Sequence, residues 1–415
     1  VPLPPLARLS LDSTDCPTVA ARTRLQPASQ PASQPASHTR ARACALSLLV
    51  LAHSLALVLA PPAPALSLSL THTLFLALLG PMAAQLTLPF TKMHGLGNDF
   101  VVVDRVSSPE VPPMTAAAAI ALSDRHRGVG ADQVLVVEPG DGNEASFRYL
   151  IYNAGDGAQV EQCGNGARCF AKYIRDAGLV SPETTVLSAA TIARTIVLHL
   201  EPLAPGTLPS ADAIDMVTVD MGPAVAGFEV AIADGGGCQH REAIAPRLPG
   251  YAPGPELLLV DMGNPHGVWV VDDVLTAPVS TVGPKLERHP VFPARANIGF
   301  VQVIDRSRLA LRVYERSASE TQACGSGACA AAAACVRAGL VDTPVRVYFP
   351  LPALAATGVD TGALNLGAVV ADLDRARAFL DIAIDGDDAR CLMTGPAASV
   401  FCGSIRLDAT LFESA

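Results

Sequence analysis

The feature that most constrains the fold of this chain is an internal repeat. The stretch QCGNGARCFAKYIRDAGLV, which begins at Gln162, aligns without gaps on ACGSGACAAAAACVRAGLV, which begins at Ala323. Cys163 falls on Cys324, two glycines fall on two glycines, and both stretches close with AGLV. A module that occurs twice in one chain predicts two similar halves related by an approximate two-fold axis.

A second similarity between the two halves supports the expected domain bounds. Asn98 and Asn264 each follow a glycine and precede a Val-rich strand that ends in Asp. The asparagine lies 65 residues before the repeated cysteine in the first half and 60 residues before it in the second. We therefore expect an N-terminal domain over residues 91–210, a C-terminal domain over 211–349 and a closing segment over 380–415.

The distribution of apolar residues predicts short strands and two long helices, which is typical of an α/β protein. The helices follow Cys163 and Cys324, and they end at Gly178 and Gly339, where a left-handed residue is favoured. Several of the strand candidates are rich in β-branched residues and lie between clusters of Gly, Pro and Asp. The predicted strands cover residues 100–104, 132–138, 147–153, 256–262, 267–273, 297–305, 308–316 and 345–349.

Charge is distributed unevenly along the chain. Residues 1–92 contain six basic and two acidic residues, so this segment carries a net charge of +4. The remaining residues contain 23 basic and 37 acidic side chains and carry about −14. Because an acidic surface repels phosphate backbones, no nucleic acid is expected as a partner.

Residues 1–90 are expected to be a leader that takes no part in the fold. The repeat PASQPASQPASH cannot bury enough surface to order itself. The apolar run after it is broken at His53, Pro61 and His72, which leaves about 16 residues where a membrane span needs roughly 20, so a membrane anchor is not favoured. The segment fits a transit peptide, a secretory signal or untranslated sequence upstream of a start at Met82. A transit peptide would place the protein in a plastid; otherwise we expect it in the cytoplasm.

Two facing helix N-termini, each headed by a cysteine, define the expected chemistry. Unpaired N–H groups and the macrodipole at a helix start should lower a thiol pKa from about 8.5 toward neutrality. The backbone N–H groups of residues 164–165 and 325–326 can also hold a carboxylate, and glycine leaves room for its approach. A carboxylate held there, with one thiol on each side of its α-carbon, has the geometry for racemisation or epimerisation of an α-amino acid.

Other roles for the cysteines are structural. A cysteine in a chain that has ten of them is most often a small buried hydrophobic residue. The spacings of Cys163 to Cys169 and of Cys324 to Cys329 do not form the two close pairs of a structural zinc site, so no metal is expected. A disulfide framework is unnecessary for a core of this size. Packing roles are expected for Cys169, Cys238, Cys329, Cys335, Cys391 and Cys402.

Two cofactor patterns are weak, so we expect no cofactor. GSGACA, from Gly325, fits a dinucleotide fingerprint, but nine residues separate it from the strand that ends near Glu315, whereas a Rossmann turn is tight. Pyridoxal phosphate needs a lysine for its Schiff base. The three lysines of the chain, Lys92, Lys172 and Lys285, have no distinctive sequence setting.

Six motifs occur in order along the chain: KMHGLGNDF, RHRGVGADQ, QCGNGARCFA, MGNPH, ERHPVFPARANIGF and RVYERSASETQACGSGACA. Together they resemble the diaminopimelate epimerase family, cofactor-independent two-cysteine enzymes of lysine biosynthesis. The match runs from about residue 91 to 349 and resumes over 380–401. The resemblance implies two α/β domains, each a mixed barrel-like sheet around a central helix, with the active site in the cleft between them. It also implies LL- and meso-diaminopimelate as the small-molecule substrate.

The resemblance also implies the roles of individual residues. Cys163 and Cys324 become the proton acceptor and donor, and His266 and Glu315 match positions that tune this pair. Amides that both donate and accept, together with a carboxylate, suit a substrate with two amines and two carboxylates. The implied substrate contacts are Asn98, Gln133, Asn153, Gly164, Asn165, Asn264, Asn297, Glu315, Arg316, Gly325 and Ser326.

The chain departs from the family pattern at four places. Ser317 and Ser319 stand where the family has glycines. NAGDGAQ is one residue longer than the family NADGSE, which bears on the placement of Asn153. Phe401 stands where the family has a tyrosine associated with dimerisation, so a homodimer is an open expectation. Residues 350–379 replace a short turn and are expected to form a surface insertion.

Three other interpretations stay open. A proline or hydroxyproline racemase of the same fold would need an apolar ring pocket instead of the asparagine set. A thiol–disulfide oxidoreductase is disfavoured because C-x-x-C is absent. A binding module could keep the fold without catalysis. Exchange of the substrate α-proton in heavy water separates all of these.

Overall fold

The computed structural model describes residues 85–413, except 143–144, 204–206, 208, 211–212, 233–236, 249–254, 317, 351–364 and 387. The leader expected over 1–90 therefore lies outside the described residues up to position 84. Its last part does not, because the first strand begins at Gln85. Within the described part of the chain, no helix is both long enough and apolar enough to cross a membrane.

The first half of the chain forms a closed ring of eight strands around one helix. The strands are β1 (Gln85–Gly95), β2 (Asn98–Asp104), β3 (Gln133–Pro139), β4 (Phe147–Asn153), β5 (Val186–Ala190), β6 (Thr195–Leu200), β7 (Ile214–Pro223) and β19 (Arg390–Asp408). Pairings β2–β3 and β4–β5 are parallel, and the others are antiparallel. Antiparallel pairing of β19 with β1 closes the ring. Helix α2 (Gly164–Asp176) lies inside and contacts β1, β2, β3, β6, β7 and β19.

The second half repeats this arrangement. Its strands are β8 (Val225–Ala226), β12 (Leu257–Asp261), β13 (Pro265–Val270), β14 (Asn297–Asp305), β15 (Arg308–Glu315), β17 (Val345–Tyr348) and β18 (Phe379–Asp385). Strand β8 directly follows β7 in the chain. The strand pairs of this ring are antiparallel and parallel in the same order as those of the first ring. The pairing of β18 with β19, and of β19 with β7, closes the ring. Helix α4 (Gly325–Arg337) fills this ring. The expected fold, two similar halves each built around a central helix, is confirmed.

The remaining elements lie outside these two rings. Helix α1 (Ala116–Ser123) packs on β3 and β4, whereas α3 (Val279–Glu287) packs on β14 and β15. The smaller elements are α5 (Leu366–Arg375), β9 (Phe228–Ala231), β10 (Cys238–Arg241), β11 (Ala243–Ile244), β16 (Ser319–Thr321) and a 3₁₀ helix (Ala409–Phe412).

Both central helices end as the sequence predicts. Gly178 and Gly339 adopt φ of 68° and 70°, the left-handed region in which glycine carries no Cβ penalty. The N–H of Gly178 donates to Arg175 O at 3.0 Å, and the N–H of Leu179 donates to Ile174 O at 3.0 Å. These two bonds form a Schellman motif, which satisfies carbonyl groups that have no partner within the helix.

Strand β19 ties the two rings together. Residues 390–394 pair with β18, residues 390–398 pair with β7, and residues 398–408 pair with β1. The sequence does not signal this strand of 19 residues, because Gly395 and Pro396 interrupt it. The domain boundary predicted at residue 210 falls before β7, although β7 belongs to the first ring through its pairing with β6. The domain bounds themselves stay a prediction.

The expected surface insertion contains a packed helix. Residues 351–364 lie outside the described residues. Helix α5 follows them and buries Val369, Val370 and Leu373 against Tyr348 and Phe379. The segment connects the antiparallel strands β17 and β18. The equivalent hairpin of the first ring, β5–β6, needs only the turn between Ala190 and Thr195.

The position of β1 yields a prediction about the leader. A chain that begins at Met82 keeps β1, which pairs with β19 from Gln85 onward, and every other described element. We expect this shortened chain to have the same Tm and the same activity as the full chain. Differential scanning calorimetry and a turnover assay measure both, and loss of either property would show that residues before Met82 contribute to the fold.

Candidate active site

A cleft of about 1690 Å³ lies where the N-termini of α2 and α4 approach each other. This volume exceeds the roughly 300–1,000 Å³ of a typical ligand pocket, so the cleft has room for a small molecule and its water. It is lined by residues of both rings, and most of the predicted site residues are among them. These are Asn98, Gln133, Asn153, Cys163, Gly164, Asn165, Asn264, Glu315, Arg316, Cys324, Gly325 and Ser326.

Cys163 and Cys324 are the N-cap residues of the two central helices. Both have extended backbone conformations, and each thiol sulfur accepts a hydrogen bond from the backbone N–H three residues later. The distances to Gly166 N and Gly327 N are both 3.4 Å. A sulfur therefore occupies the capping position that a Ser or Asp oxygen usually takes, at the positive end of each helix.

The two helix starts are in direct contact. The Asn165 side chain donates from Nδ2 to Ala323 O, the residue before Cys324, at 3.4 Å. Met393 of β19 packs between the helices: a Cβ added at Gly164 would lie 2.7 Å from its Cε, and one added at Gly325 would lie 3.0 Å from its Sδ. The predicted reason for glycine, room for a ligand, is therefore incomplete, because a methionine side chain takes this space.

The predicted lowering of the thiol pKa values is wrong for this arrangement. Burial raises the pKa of the Cys163 thiol to about 11, although the Gly166 N–H and the Arg168 guanidinium act in the opposite direction. Burial also raises the pKa of Cys324 well above its ordinary value, and the nearby Glu315 carboxylate raises it further. Desolvation of a thiolate outweighs the helix terminus here.

A row of polar side chains extends from Cys324 and becomes buried at His266. Ser326 Oγ is 3.6 Å from Cys324 Sγ and 3.1 Å from His266 Nε2, which in turn lies 3.1 Å from Asn264 Oδ1. His266 is 1% exposed, and its burial, with a smaller effect of Arg316, lowers its pKa to about 3. The imidazole is therefore neutral at physiological pH.

Asn297 belongs to this row and does not line the cleft. Its Oδ1 accepts from Arg316 N at 2.8 Å, and its Nδ2 lies 3.4 Å from His266 Nε2. The residue is 3% exposed. The structure thus places Asn297 and His266 behind the site residues that they support.

Glu315 faces Cys324 from the end of β15. Thr321 Oγ1 donates to its carboxylate, and the Cys324 thiol lies near enough to affect its protonation. Burial raises the pKa of Glu315, although both neighbours act in the opposite direction. The carboxylate is therefore a better proton acceptor than an exposed glutamate.

Cys163 faces an amide whose orientation is fixed by charged residues. Its thiol lies 3.8 Å from Asn98 Oδ1, while Asn98 Nδ2 donates to Asp132 Oδ2 at 2.8 Å. Asp132 and Asp99 both pair with the Arg125 guanidinium at 2.7 Å. The motif RHRGVGADQ contains Arg125 and Asp132, but only their spatial closeness to Asn98 reveals this role.

Gln133 and Asn153 lie opposite each other on β3 and β4. Gln133 Nε2 donates to Asn153 Oδ1 at 2.9 Å. The extra residue in NAGDGAQ is absorbed by the turn after Asn153 and does not move this residue away from the cleft. Gln133 Oε1 is buried and has no hydrogen-bond partner among the described residues.

Arg168 lies next to the site, and no pattern in the sequence singles it out. It follows Cys163 by five residues, its side chain is completely buried, and it donates to Asn165 Oδ1 and Gly164 O at the start of α2. Arginine is normally a surface residue, so its burial cannot be read from the motif alone.

No metal or cofactor position stands out among the described residues. They contain no group of three or more His, Cys, Asp or Glu side chains arranged to hold a metal ion. The residues that line the cleft include none of the three lysines. Of the cysteines expected to pack in the core, Cys169, Cys329, Cys335 and Cys391 are buried as predicted, Cys402 is partly buried, and Cys238 is exposed, contrary to prediction.

Comparison with solved structures identifies the same fold elsewhere. A hydroxyproline epimerase from Agrobacterium vitis, solved with trans-4-hydroxy-L-proline bound, has a TM-score of 0.51 at 15% identity, covering 80% of this chain and 95% of its own. A probable proline racemase from Agrobacterium radiobacter K84 has a TM-score of 0.50 at 14% identity, covering 79% of this chain and 96% of its own. At such low identity the likeness shows the fold alone.

Comparison with known sequences is more specific. A family model described as diaminopimelate epimerase matches residues 90–226 and 258–373. A diaminopimelate epimerase from Ectopseudomonas mendocina (strain ymp) is 41% identical over 323 residues, which cover 78% of this chain and 100% of the relative. Another, from Acidovorax ebreus (strain TPSY), is 48% identical over 270 residues, which cover 62% of this chain and 86% of the relative. The chain therefore belongs to the diaminopimelate epimerase family.

Proposed function

We propose that this protein interconverts LL- and meso-diaminopimelate, a step of lysine biosynthesis, by proton transfer between two cysteines without a cofactor. The observation that carries the proposal is the pair of thiols that cap two facing helices at one cleft. Membership in the family supports the substrate, and the amide side chains around the cleft support it independently.

The reacting end of the substrate binds at the helix starts in this proposal. The backbone N–H groups of residues 164–165 and 325–326 have no partners within their helices and can receive the α-carboxylate. Binding at both helix N-termini places the α-carbon between Cys163 and Cys324. The neutral His266 and its partner Ser326 keep the second helix start fixed.

The far end of the substrate carries a second ammonium and a second carboxylate. Gln133 Oε1, which is buried without a partner among the described residues, is a ready acceptor for an ammonium N–H. Asn98, Asn153 and Asn264 add amide groups that can donate and accept, and Arg316 adds a cation for a carboxylate.

Proton transfer then proceeds in two balanced steps. One cysteine, as the thiolate, takes the α-proton and becomes a thiol, which leaves a carbanion at the α-carbon. The other cysteine, as the thiol, gives its proton to the opposite face and becomes a thiolate. Burial supports this chemistry, because a thiol with a raised pKa is a stronger base once ionised.

The alternative within this fold is a proline or hydroxyproline racemase. Such a substrate has an apolar ring and a single carboxylate. The cleft instead presents the amides of Asn98, Gln133, Asn153 and Asn264. Unpaired amides would be costly against an apolar ring, so the polar lining favours the longer substrate with two charged ends.

Assembly and targeting remain predictions. Phe401 is 47% exposed on β19 and stacks edge-to-face on Phe90 of β1, with ring centroids 5.8 Å apart. This apolar pair on the outer surface of the first ring supports the expected homodimer. The plastid or cytoplasmic location depends on the leader, of which residues 1–84 lie outside the described part of the chain.

Substrate choice is tested by offering three compounds to the purified protein. We expect LL-diaminopimelate to be converted to the meso form, as followed by chiral chromatography, and no change in L-proline or trans-4-hydroxy-L-proline. Conversion of either proline compound, with diaminopimelate untouched, would contradict the proposal.

The two-thiol mechanism predicts that Cys163→Ser and Cys324→Ser each lose activity in both directions. A hydroxyl is too weak an acid at this position, so we expect a loss of at least about 10³-fold in kcat. Cys238→Ser, at an exposed cysteine outside the cleft, is the control and should keep full activity. More than a few per cent of activity in either active-site variant would rule out the assignment.

Glu315→Gln separates the role of this carboxylate from general damage to the fold. Because the anion raises the pKa of Cys324, we expect its removal to lower that pKa and to speed alkylation of Cys324 by iodoacetamide at pH 8. Turnover should fall by about 10² or more. Glu320→Gln, at a cleft carboxylate that pairs with Arg312, should not change the alkylation of Cys324. Slower alkylation in Glu315→Gln would contradict the assigned interaction.

A further inference from the structure

Arg168 is a buried cation without a carboxylate partner. Its side chain has no exposed surface, and no carboxylate among the described residues forms an ion pair with it. The guanidinium instead donates to Pro396 O at 3.1 Å, to Asn165 Oδ1 at 2.8 Å and, more weakly, to Gly164 O at 3.5 Å. All of these acceptors are neutral.

The same helix shows the usual solution for a buried cation. Lys172 and Arg175 lie one and two turns further along α2, and both are buried. Each pairs with Asp215 at 2.9 Å, and Lys172 also pairs with Asp176 at 2.6 Å. Only the cation nearest to the cleft, among these three, lacks such a counter-charge. A buried charge without compensation is unfavourable, so its retention calls for an anion that is present during the reaction.

The titratable groups around Arg168 identify that anion. Burial lowers the pKa of Arg168 to about 10, so the guanidinium stays charged at neutral pH. It faces Cys163 and Cys169 of its own helix, Cys329 of α4 and Tyr149 of β4. Burial raises the pKa of Cys169 to about 12 and raises the pKa of Tyr149 well above its ordinary value. A hydrogen bond with Cys391, together with burial, raises the pKa of Cys329 well above its ordinary value. Of these four groups only Cys163 lines the cleft, so we place the anion at the start of α2, either as the Cys163 thiolate or as a bound carboxylate.

Arg168 also fixes the direction of an amide between the two helices. Because its Nη2 donates to Asn165 Oδ1, the Nδ2 end of that carboxamide must point away from it. Asn165 Nδ2 accordingly donates to Asn98 Oδ1 at 3.3 Å, which is the oxygen that faces the Cys163 thiol, and to Ala323 O at 3.4 Å. One guanidinium thus orders a chain of groups that reaches both cysteine-capped helix starts.

We propose that Arg168 is a positioning residue of the active site, which locks the Asn165 carboxamide between the helix starts and supplies the buried positive charge that balances an anion at the start of α2. This inference deepens the proposed function and depends on that function for the identity of the substrate. The electrostatic effect of Arg168 on Cys163 is independent of the proposed function, because it is measurable without substrate.

The test compares Arg168→Gln and Arg168→Lys with the intact protein and with Arg175→Lys. The readout is the rate at which iodoacetamide alkylates Cys163 from pH 7 to 10, followed by peptide mass spectrometry on protein without substrate. Loss of the charge should raise the Cys163 pKa by about one unit, which slows alkylation several-fold to tenfold at each pH in this range. The acid limb of kcat/KM for diaminopimelate should shift upward in parallel.

The lysine variant keeps the charge but loses the planar fork that holds Asn165. We expect its alkylation profile to stay near that of the intact protein, with a fall of about tenfold in kcat/KM because the carboxamide is no longer held. Arg175→Lys keeps its pairing with Asp215, and we expect it to change neither readout.

Two outcomes would overturn the inference. The first is a folded Arg168→Gln protein whose Cys163 alkylation profile matches that of the intact protein. If the glutamine variant does not fold, the lysine variant decides, and an unchanged kcat/KM in that variant would be the second. Absence of turnover of diaminopimelate by the intact protein would instead overturn the proposed function, while the alkylation profiles would still test the charge on Arg168.

Discussion

The structure depends on the enclosure of two helices in two strand rings that share β19 and β7. A helix surrounded by sheet on all sides has no solvent-facing stripe, so α2 and α4 can present only their ends to the outside. The shared strands hold both N-termini at one cleft, where Cys163 and Cys324 take the capping positions. The alanine run of α4 is accordingly buried along its whole length, from Ala330 to Ala334.

Enclosure also creates the electrostatic problem that the site must solve. Desolvation opposes ionisation of both thiols and outweighs the favourable helix termini. The surroundings of the two thiols then differ in sign, because Arg168 lies near Cys163 whereas Glu315 lies against Cys324. The pair is therefore symmetric in backbone geometry and asymmetric in charge, which favours one thiolate and one thiol over two equal groups.

Much of this could be predicted from the sequence, since the repeat and the glycine-capped helices follow from local signals. All eight predicted strands are present, and most of the residues implied by the motifs line the cleft. The sequence does not predict strand β19, because Gly395 and Pro396 interrupt its pattern and its partner strands are distant in sequence. The raised thiol pKa values and the burial of Arg168 depend on how deeply the helices are enclosed, which no local pattern reports.

The central claim is that two different groups act on the two faces of one α-carbon. The most direct measurement is the location of deuterium when LL-diaminopimelate is converted in heavy water and the reaction is stopped at low conversion. With two bases, the inverted centre of the meso product carries solvent deuterium while the remaining LL-substrate carries almost none. Equal deuterium content in the recovered substrate and the product would mean that a single group serves both faces, and it would contradict the account.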